Sequence, residues 1–185
     1  DYCLVIMEFI SGQTIEEALQ VRLRFSVQET MRYIEQILSV LQLIHSNNII
    51  HRDIKPGNLL ISSDGIIKLL DFGIARTPKS RQKIDTQILG TVGYASPEQF
   101  GFKQTDIQAD IYAVGVLLNK MLVGKLPNEE LVLDKKMQKI ILRCIHIDPE
   151  KRYYCVENLS DDLSFLFNRY KVKKESIWPG FRSDK

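Results

Sequence analysis

The feature that most constrains the fold of this chain is a long stripe of side chains that follows Val27. Its positions recur at steps of three and four residues: Met31, Ile34, Leu38, Leu41 and His45. That spacing lines one face of an α-helix for about five turns. A stripe of this length needs other elements to cover it, so the sequence predicts a core helix in a folded domain.

Two helix starts are marked by the same local pattern. Thr14 and Ser26 are each followed, three positions later, by a glutamate, Glu17 and Glu29. In this S/T-x-x-E pattern the hydroxyl and the carboxylate each bind a backbone N–H group that the first helical turn leaves unpaired. The pattern predicts that a helix begins directly after each hydroxyl residue.

A β hairpin is predicted in the middle of the chain. The apolar runs at residues 59–62 and 66–69 are separated by Ser63-Asp64-Gly65. An Asp-Gly pair between two such runs is a strong signal for a tight turn between antiparallel strands. We therefore expect a small hairpin within an otherwise helical chain.

Two further helical regions follow the hairpin. Residues 110–122 are largely apolar, which predicts a helix buried on nearly all sides. A second helical region runs from about residue 136 to 146, stops at Asp148-Pro149 because proline cannot continue a helix, and resumes near Val156. The predicted fold class is therefore α+β, predominantly α-helical.

The composition is that of one ordinary folded domain. The 185 residues are 44% hydrophobic and 26% charged, and a net charge of +2 gives no argument for nucleic acid or an anionic membrane as partner. Three cysteines without C-x-x-C spacing indicate neither a disulfide framework nor a zinc site. The longest apolar runs, such as residues 113–118, are too short to span a bilayer, so no membrane segment is predicted in this chain.

Residues with catalytic chemistry are concentrated on both sides of the hairpin. The sequence H-R-D-I-K-P-G-N occupies residues 51–58, before the first strand, and D-F-G follows the second strand. Because the two ends of a hairpin meet, the polar side chains there are expected to converge. They are Asp53, Lys55, Asn58 and Asp71. Carboxylate and amide oxygens suit Mg²⁺, an ammonium group suits a phosphoryl group, and a second carboxylate can accept a hydroxyl proton.

These motifs occur, with G-T-V-G-Y-A-S-P-E at residues 90–98, in the order and spacing of a known family. The chain resembles the eukaryotic-type Ser/Thr protein kinases in the form that bacteria carry. The resemblance implies the C-terminal (large) lobe of the protein-kinase-like fold. It also implies ATP and Mg²⁺ as cofactors and a protein Ser or Thr as the substrate.

The resemblance assigns roles to individual residues. Asp53 would be the catalytic base, and Lys55 would contact the γ-phosphate of ATP. Asn58 and Asp71 would be the Mg²⁺ ligands, and Gly73 would be the hinge of the D-F-G turn. A lysine two positions after the catalytic aspartate is typical of Ser/Thr rather than Tyr kinases in this family.

The first residues of the chain resemble the hinge against which adenine binds. Met7 would be the gatekeeper, and the backbone of Glu8 and Ile10 would offer an acceptor and a donor to adenine. Leu60 would form the floor of the adenine site. The phosphate and metal contacts named above would complete the expected ATP site.

Structural contacts are implied as well. Asp110 would hold the backbone of H-R-D, Arg152 would pair with Glu98, and Thr91 would contact the catalytic aspartate and lysine. Arg52 would bind a phosphorylated residue of the activation loop. The leading candidate for that phosphate is Thr86, followed by Thr77 and Ser80.

The remaining histidines and cysteines have simpler interpretations. His51 is expected to act as a scaffold residue rather than a base. His45 and His146 lie on apolar helical faces and are expected to be partly buried. The cysteines are expected to pack as small core side chains.

The resemblance covers residues 1–168 and leaves residues 169–185 as a basic C-terminal tail. It begins at the hinge, since the chain contains no G-x-G-x-x-G and no V-A-I-K lysine. We therefore expect a fragment of a longer kinase, without its N-terminal lobe and with little or no activity alone. The parent is expected in the cytoplasm, free or as the cytoplasmic domain of a membrane-anchored protein.

Expectations about partners follow from the same resemblance. Without the N-terminal lobe, Met7, Phe9, Leu60 and Leu70 would leave an apolar surface through which the fragment self-associates. Residues 128–135 are too short for the extra helix with which many relatives dock peptide substrates. The alternative function is a pseudokinase-like binding or scaffold module.

Overall fold

The structure, a computed structural model, describes residues 8–72, 91–100 and 105–172, with side chains up to residue 168. Within these ranges the chain forms five α-helices and one small antiparallel sheet. In chain order the elements are β1 (Gly12–Thr14), α1 (Ile15–Arg22), α2 (Val27–Ser46), β2 (Leu59–Ser62), β3 (Ile67–Leu69), α3 (Ile107–Val123), α4 (Lys135–Cys144) and α5 (Val156–Val172). The predicted fold class, α+β and predominantly α-helical, is confirmed.

Both predicted helix starts carry a complete capping box. At the start of α1 the N–H of Glu17 donates to Thr14 Oγ1 (3.1 Å), and the N–H of Thr14 donates to Glu17 Oε2 (2.7 Å). Between Ser26 and Glu29, at the start of α2, the corresponding distances are 3.2 and 2.9 Å. Each box lies within one helical turn, so it defines the helix start without help from distant residues.

The predicted hairpin is formed by β2 and β3, and Gly65 in its turn has a φ of +77°. Strand β1 pairs with the other edge of β2. The sequence does not predict β1, because its residues Gly-Gln-Thr show no apolar alternation. Gly12 is required there, since a Cβ at this position would collide with the carbonyl oxygen of Ile61.

Helices α2 and α3 form the centre of the core. The apolar stripe of α2 is buried, as predicted, and α3 is buried on nearly all sides. Helix α3 begins at Ile107 rather than at residue 110, because the Asp106 carboxylate caps it by accepting the N–H of Gln108 (3.0 Å).

Helices α4 and α5 lie on either side of the predicted break at Asp148-Pro149. Helix α4 ends at Cys144, so His146 lies in the following turn and the prediction that it occupies a helical face is wrong. Among the described residues, no helix has both the length and the apolar character that crossing a membrane requires.

Helices α3 and α4 approach each other closely at Gly115. A Cβ built on Gly115 would overlap the Cβ of Cys144 and lie 3.0 Å from Ile145 Cγ2. Burial raises the pKa of the Cys144 thiol far above its usual range, so this side chain packs as a neutral core group. The prediction of core cysteines is therefore confirmed for Cys144 and wrong for Cys155, which is half-buried and donates to Asn158 Oδ1 (3.3 Å), while Cys3 lies outside the described residues.

We predict that Gly115→Ala destabilises the chain, although alanine is the better helix former by about 1 kcal/mol. Overpacking against α4 is expected to lower the free energy of unfolding by about 1–3 kcal/mol, measured by urea denaturation. Combining Gly115→Ala with Cys144→Gly removes the clash, so the two changes should cost less together than the sum of their separate effects. A stabilised Gly115→Ala chain would contradict the close approach.

Candidate active site

The hairpin holds the two polar segments of the predicted site next to each other. The N–H of Leu70 donates to the carbonyl oxygen of Asn58 (2.8 Å), which joins the end of β3 to the start of β2. Before β2 the chain makes a short 3₁₀ turn at Pro56–Asn58, closed by a hydrogen bond from the N–H of Asn58 to the carbonyl of Lys55 (3.0 Å). Asp71 therefore directly follows Leu70, whose N–H is hydrogen-bonded to the last residue of the H-R-D-I-K-P-G-N segment.

Three side chains surround the carboxylate of Asp53. Its Oδ2 lies 2.7 Å from Lys55 Nζ and 2.9 Å from Asn58 Nδ2. Its Oδ1 accepts a hydrogen bond from Thr91 Oγ1 (2.8 Å), and Lys55 Nζ donates to the same hydroxyl (2.8 Å). The structure therefore brings Asp53, Lys55 and Asn58 together, and the implied contact of Thr91 with the first two is present.

The charge state of Asp53 follows from these contacts. Partial burial alone raises the pKa of this carboxyl group. Hydrogen bonds from Lys55, Thr91 and Asn58, together with the positive charge of Lys55, outweigh burial and hold the pKa of Asp53 below its ordinary value. Asp53 is therefore ionised at neutral pH and can accept a proton or a hydrogen bond.

Asn58 and Asp71 supply oxygen atoms of the kind that Mg²⁺ prefers. The amide nitrogen of Asn58 donates to the carbonyl oxygen of Asp53 and to its Oδ2, both at 2.9 Å. These two bonds fix the orientation of the amide, so its oxygen is the atom left to bind a cation. Asp71 has a φ of +57°, a left-handed conformation that is uncommon outside glycine. In chemical type, an amide oxygen and a carboxylate are ligands that suit a magnesium ion.

A buried carboxylate on α3 holds the segment before Asp53. Asp110 is fully buried and accepts the backbone N–H groups of His51 (2.9 Å) and Arg52 (2.7 Å) through its two oxygens. His45, on α2, adds a third contact, with Nε2 2.8 Å from Asp110 Oδ2. His45 is partly buried, as expected, but its contact with Asp110 is not predicted, because the two residues lie 65 positions apart in the sequence.

His51 acts as a scaffold, as predicted. Its Nδ1 accepts the backbone N–H of Asp53 (3.3 Å), so Nε2 carries the proton and donates to the carbonyl oxygen of Leu70 (3.2 Å). The ring also makes an edge contact with Phe72, at a centroid distance of 5.0 Å. The fully buried ring of His51 thus connects the loop that carries Asp53 to the residue that precedes Asp71.

A buried ion pair joins Arg152 to Glu98, which lies in the same segment as Thr91. Arg152 binds both carboxylate oxygens of Glu98, at 2.6 and 2.9 Å, and both residues are almost fully buried. The implied pairing is present. The sequence interpretation does not include Gln99, whose Nε2 donates to the carbonyl oxygen of Arg52 (2.7 Å); no local pattern marks this contact.

The expected adenine contacts are only partly visible. Glu8 is exposed, while Ile10 and Leu60 are half-buried, and Leu60 lies in the middle strand of the sheet. Met7 lies outside the described residues. The same holds for Gly73 and for the three expected phosphorylation sites, Thr77, Ser80 and Thr86.

In this helical fold H-R-D precedes the hairpin, Asp71 and Phe72 of D-F-G follow it, and the buried Asp110 holds the H-R-D backbone. This arrangement is typical of the protein-kinase class. Comparison with known families agrees, since the protein kinase domain matches residues 1–173. The chain belongs to the protein kinase family.

The chain is similar to several bacterial Ser/Thr kinases. A probable serine/threonine-protein kinase of Clostridium acetobutylicum is 33% identical over 90% of this chain and 29% of its own length. Serine/threonine-protein kinase PrkC of Bacillus subtilis is 31% identical over 95% of this chain and 31% of its own. A probable serine/threonine-protein kinase PknB of Lactococcus lactis is 36% identical over 79% of this chain and 24% of its own length. The chain thus spans 24–31% of the length of these relatives.

We predict that Glu98→Ala lowers the free energy of unfolding by about 3–5 kcal/mol, because it leaves the Arg152 charge buried without its carboxylate. Glu130→Ala is the matched control, since Glu130 pairs with Lys125 at 2.9 Å on the exposed surface. Glu130→Ala should hardly change the urea concentration at the midpoint of unfolding. Equal effects of the two substitutions would show that burial does not decide the cost.

Proposed function

We propose that the kinase domain to which this chain belongs transfers the γ-phosphate of ATP to Ser or Thr side chains of proteins. The observation that carries the proposal is the carboxylate of Asp53, held 2.7 Å from Lys55 Nζ and 2.8 Å from Thr91 Oγ1. A carboxylate fixed beside an ammonium group suits a reaction in which a hydroxyl loses its proton while charge on a phosphoryl group is stabilised. The names of the bacterial relatives support the same reaction class.

Asp53 would orient the substrate hydroxyl and accept its proton. The hydroxyl oxygen forms a bond to the γ-phosphorus while the bond from that phosphorus to the bridging oxygen of ADP breaks. Lys55 would stabilise the negative charge on the γ-phosphoryl oxygens. Thr91, which contacts both side chains, would hold them in fixed positions relative to each other.

Asn58 and Asp71 are the proposed Mg²⁺ ligands. When bound, the ion supplies positive charge that neutralises the phosphate oxygens and the leaving group. Adenine would bind to the backbone of Glu8 and Ile10, with Met7 as gatekeeper and Leu60 as the floor of the site.

The location and regulation of the domain are proposed on the same basis. A kinase that consumes ATP and contains a buried, unpaired thiol at Cys144 suits the cytoplasm. Arg52, whose backbone is fixed by Asp110, would bind a phosphate on the activation loop, with Thr86 as the favoured site.

We predict that Asp53→Asn lowers phosphoryl transfer by the full-length protein about 10²–10⁴-fold, because the amide cannot accept the hydroxyl proton. Asp71→Asn should also abolish measurable transfer, through loss of a charged metal ligand. Incorporation of radiolabelled phosphate into a generic protein substrate measures both. Asp64→Asn, the same change on the exposed hairpin turn, is the control and should keep full activity.

Two outcomes of this assay separate the alternatives. Undiminished incorporation by Asp53→Asn would exclude the proposed base, and absence of transfer by the unmodified full-length protein would favour a pseudokinase-like scaffold. The 185 residues assayed alone are expected to give little or no incorporation, since they contain neither the glycine-rich loop nor the V-A-I-K lysine.

We predict that Thr91→Val slows transfer about 10–100-fold, because the base and the lysine lose the hydroxyl that joins them. The substitution also removes a hydrogen bond that lowers the pKa of Asp53, so this pKa rises. The acid limb of the pH–rate profile should therefore move to higher pH. Thr91→Ser keeps the hydroxyl and should restore both the rate and the profile; a serine variant as slow as valine would contradict the proposed role.

A further inference from the structure

A concave site that includes none of the proposed catalytic residues lies between α4, the turn that follows it and α5. It is an open depression with a volume of about 430 Å³, and Ile140 and Leu142 contribute apolar side chains to its lining. The side chains that matter for its chemistry are Lys139, Arg143, His146, Lys151, Tyr153 and Asp162. None of them belongs to the proposed catalytic site.

The charges around this cavity do not balance. Lys139, Arg143 and Lys151 contribute three positive charges, and Asp162 contributes one negative charge, which leaves an excess of two positive charges. Among the described residues, no ion pair is formed by Lys139 or Lys151. Three cations that share a single carboxylate, that of Asp162, attract a multiply charged anion.

One of the cations is held in position before any ligand arrives. The guanidinium carbon of Arg143 lies 4.0 Å from the ring centroid of Tyr153, a buried residue. The hydroxyl of Tyr153 donates to Asp162 Oδ2 (2.8 Å), and Arg143 is 3.7 Å from the same oxygen. A guanidinium fixed in this way loses less conformational entropy when it binds an anion.

Tyr153 and His146 add no negative charge to the cavity. Burial and the hydrogen bond to Asp162 raise the pKa of Tyr153, so the phenol stays protonated. His146 Nδ1 accepts the backbone N–H of Asp148 (3.0 Å), which leaves Nε2 as the ring nitrogen that donates. His146 therefore offers a further hydrogen-bond donor.

We propose that this cavity binds a phosphate monoester. Such a group carries a charge of about −1.5 to −2 at neutral pH, which matches the excess of the lining, and its three oxygens can accept bonds from several donors at once. A single carboxylate would leave about half of the excess charge unmatched. The same chemistry is offered by a small phosphorylated molecule and by a phosphorylated Ser or Thr of a protein, and the proposal does not depend on phosphoryl transfer by the domain.

The test is calorimetric titration of the full-length protein with three probes. They are a phosphothreonine peptide, the same peptide without phosphate, and glycerol 3-phosphate. Binding of a phosphorylated probe with no binding of the unphosphorylated peptide is expected. A peptide affinity at least about tenfold above that of glycerol phosphate identifies a protein-borne phosphate, and similar affinities identify a free monoester.

Matched variants locate the binding. Lys139→Gln combined with Lys151→Gln should weaken binding by at least about tenfold, since two charge-assisted contacts are lost. Lys135→Gln combined with Lys136→Gln removes the same charge from α4 outside the cavity and should change affinity by less than about twofold. Asp162→Asn should strengthen binding, because it removes the competing carboxylate. No binding of either phosphorylated probe, or equal losses in the two double variants, would overturn the proposal.

Discussion

The structure depends most on the buried carboxylate of Asp110. It lies in the first turn of α3, where the helix dipole favours a negative charge, and three donors satisfy it. Two of these donors are consecutive backbone N–H groups, at His51 and Arg52. Arg52 has a φ of +72°, a conformation that costs about 1–3 kcal/mol unless its surroundings hold it. The hydrogen bonds to Asp110 provide that hold, so a core helix determines the backbone shape of the segment before Asp53.

Asp110 also constrains the position of Asp53, through His51. Once Asp110 fixes the backbone of His51, its ring joins the N–H of Asp53 to the carbonyl of Leu70. The loop that carries Asp53 and the strand end that precedes Asp71 are then parts of one hydrogen-bonded unit. Preorganisation of this kind matters for phosphoryl transfer, because the protein contributes mainly position and charge.

Local sequence patterns predict contacts between nearby residues, whereas distant contacts such as Arg152 with Glu98 are expected only where the resemblance to the family implies them. The capping boxes and the Asp-Gly hairpin are visible because all their partners lie within a few positions of one another. Strand β1 exists only through its pairing with β2, and three residues carry no periodicity of their own. The contact of His45 with Asp110 likewise has no local signal. The positions of Asp53, Lys55 and Asn58 could be expected from the motif, whereas the hydroxyl of Thr91 required the resemblance to the family.

Two arginines show how burial and charge balance distinguish a structural cation from one suited to a ligand. All five N–H groups of Arg152 are used, by the carboxylate of Glu98 and by three backbone carbonyls, and its side chain is 0% exposed. A ligand could reach it only by breaking a buried pair. Arg143 is 50% exposed, and its carboxylate partner lies at 3.7 Å, too far for a hydrogen bond. Its donors can therefore turn to an anion while the contact with Tyr153 keeps the side chain in place.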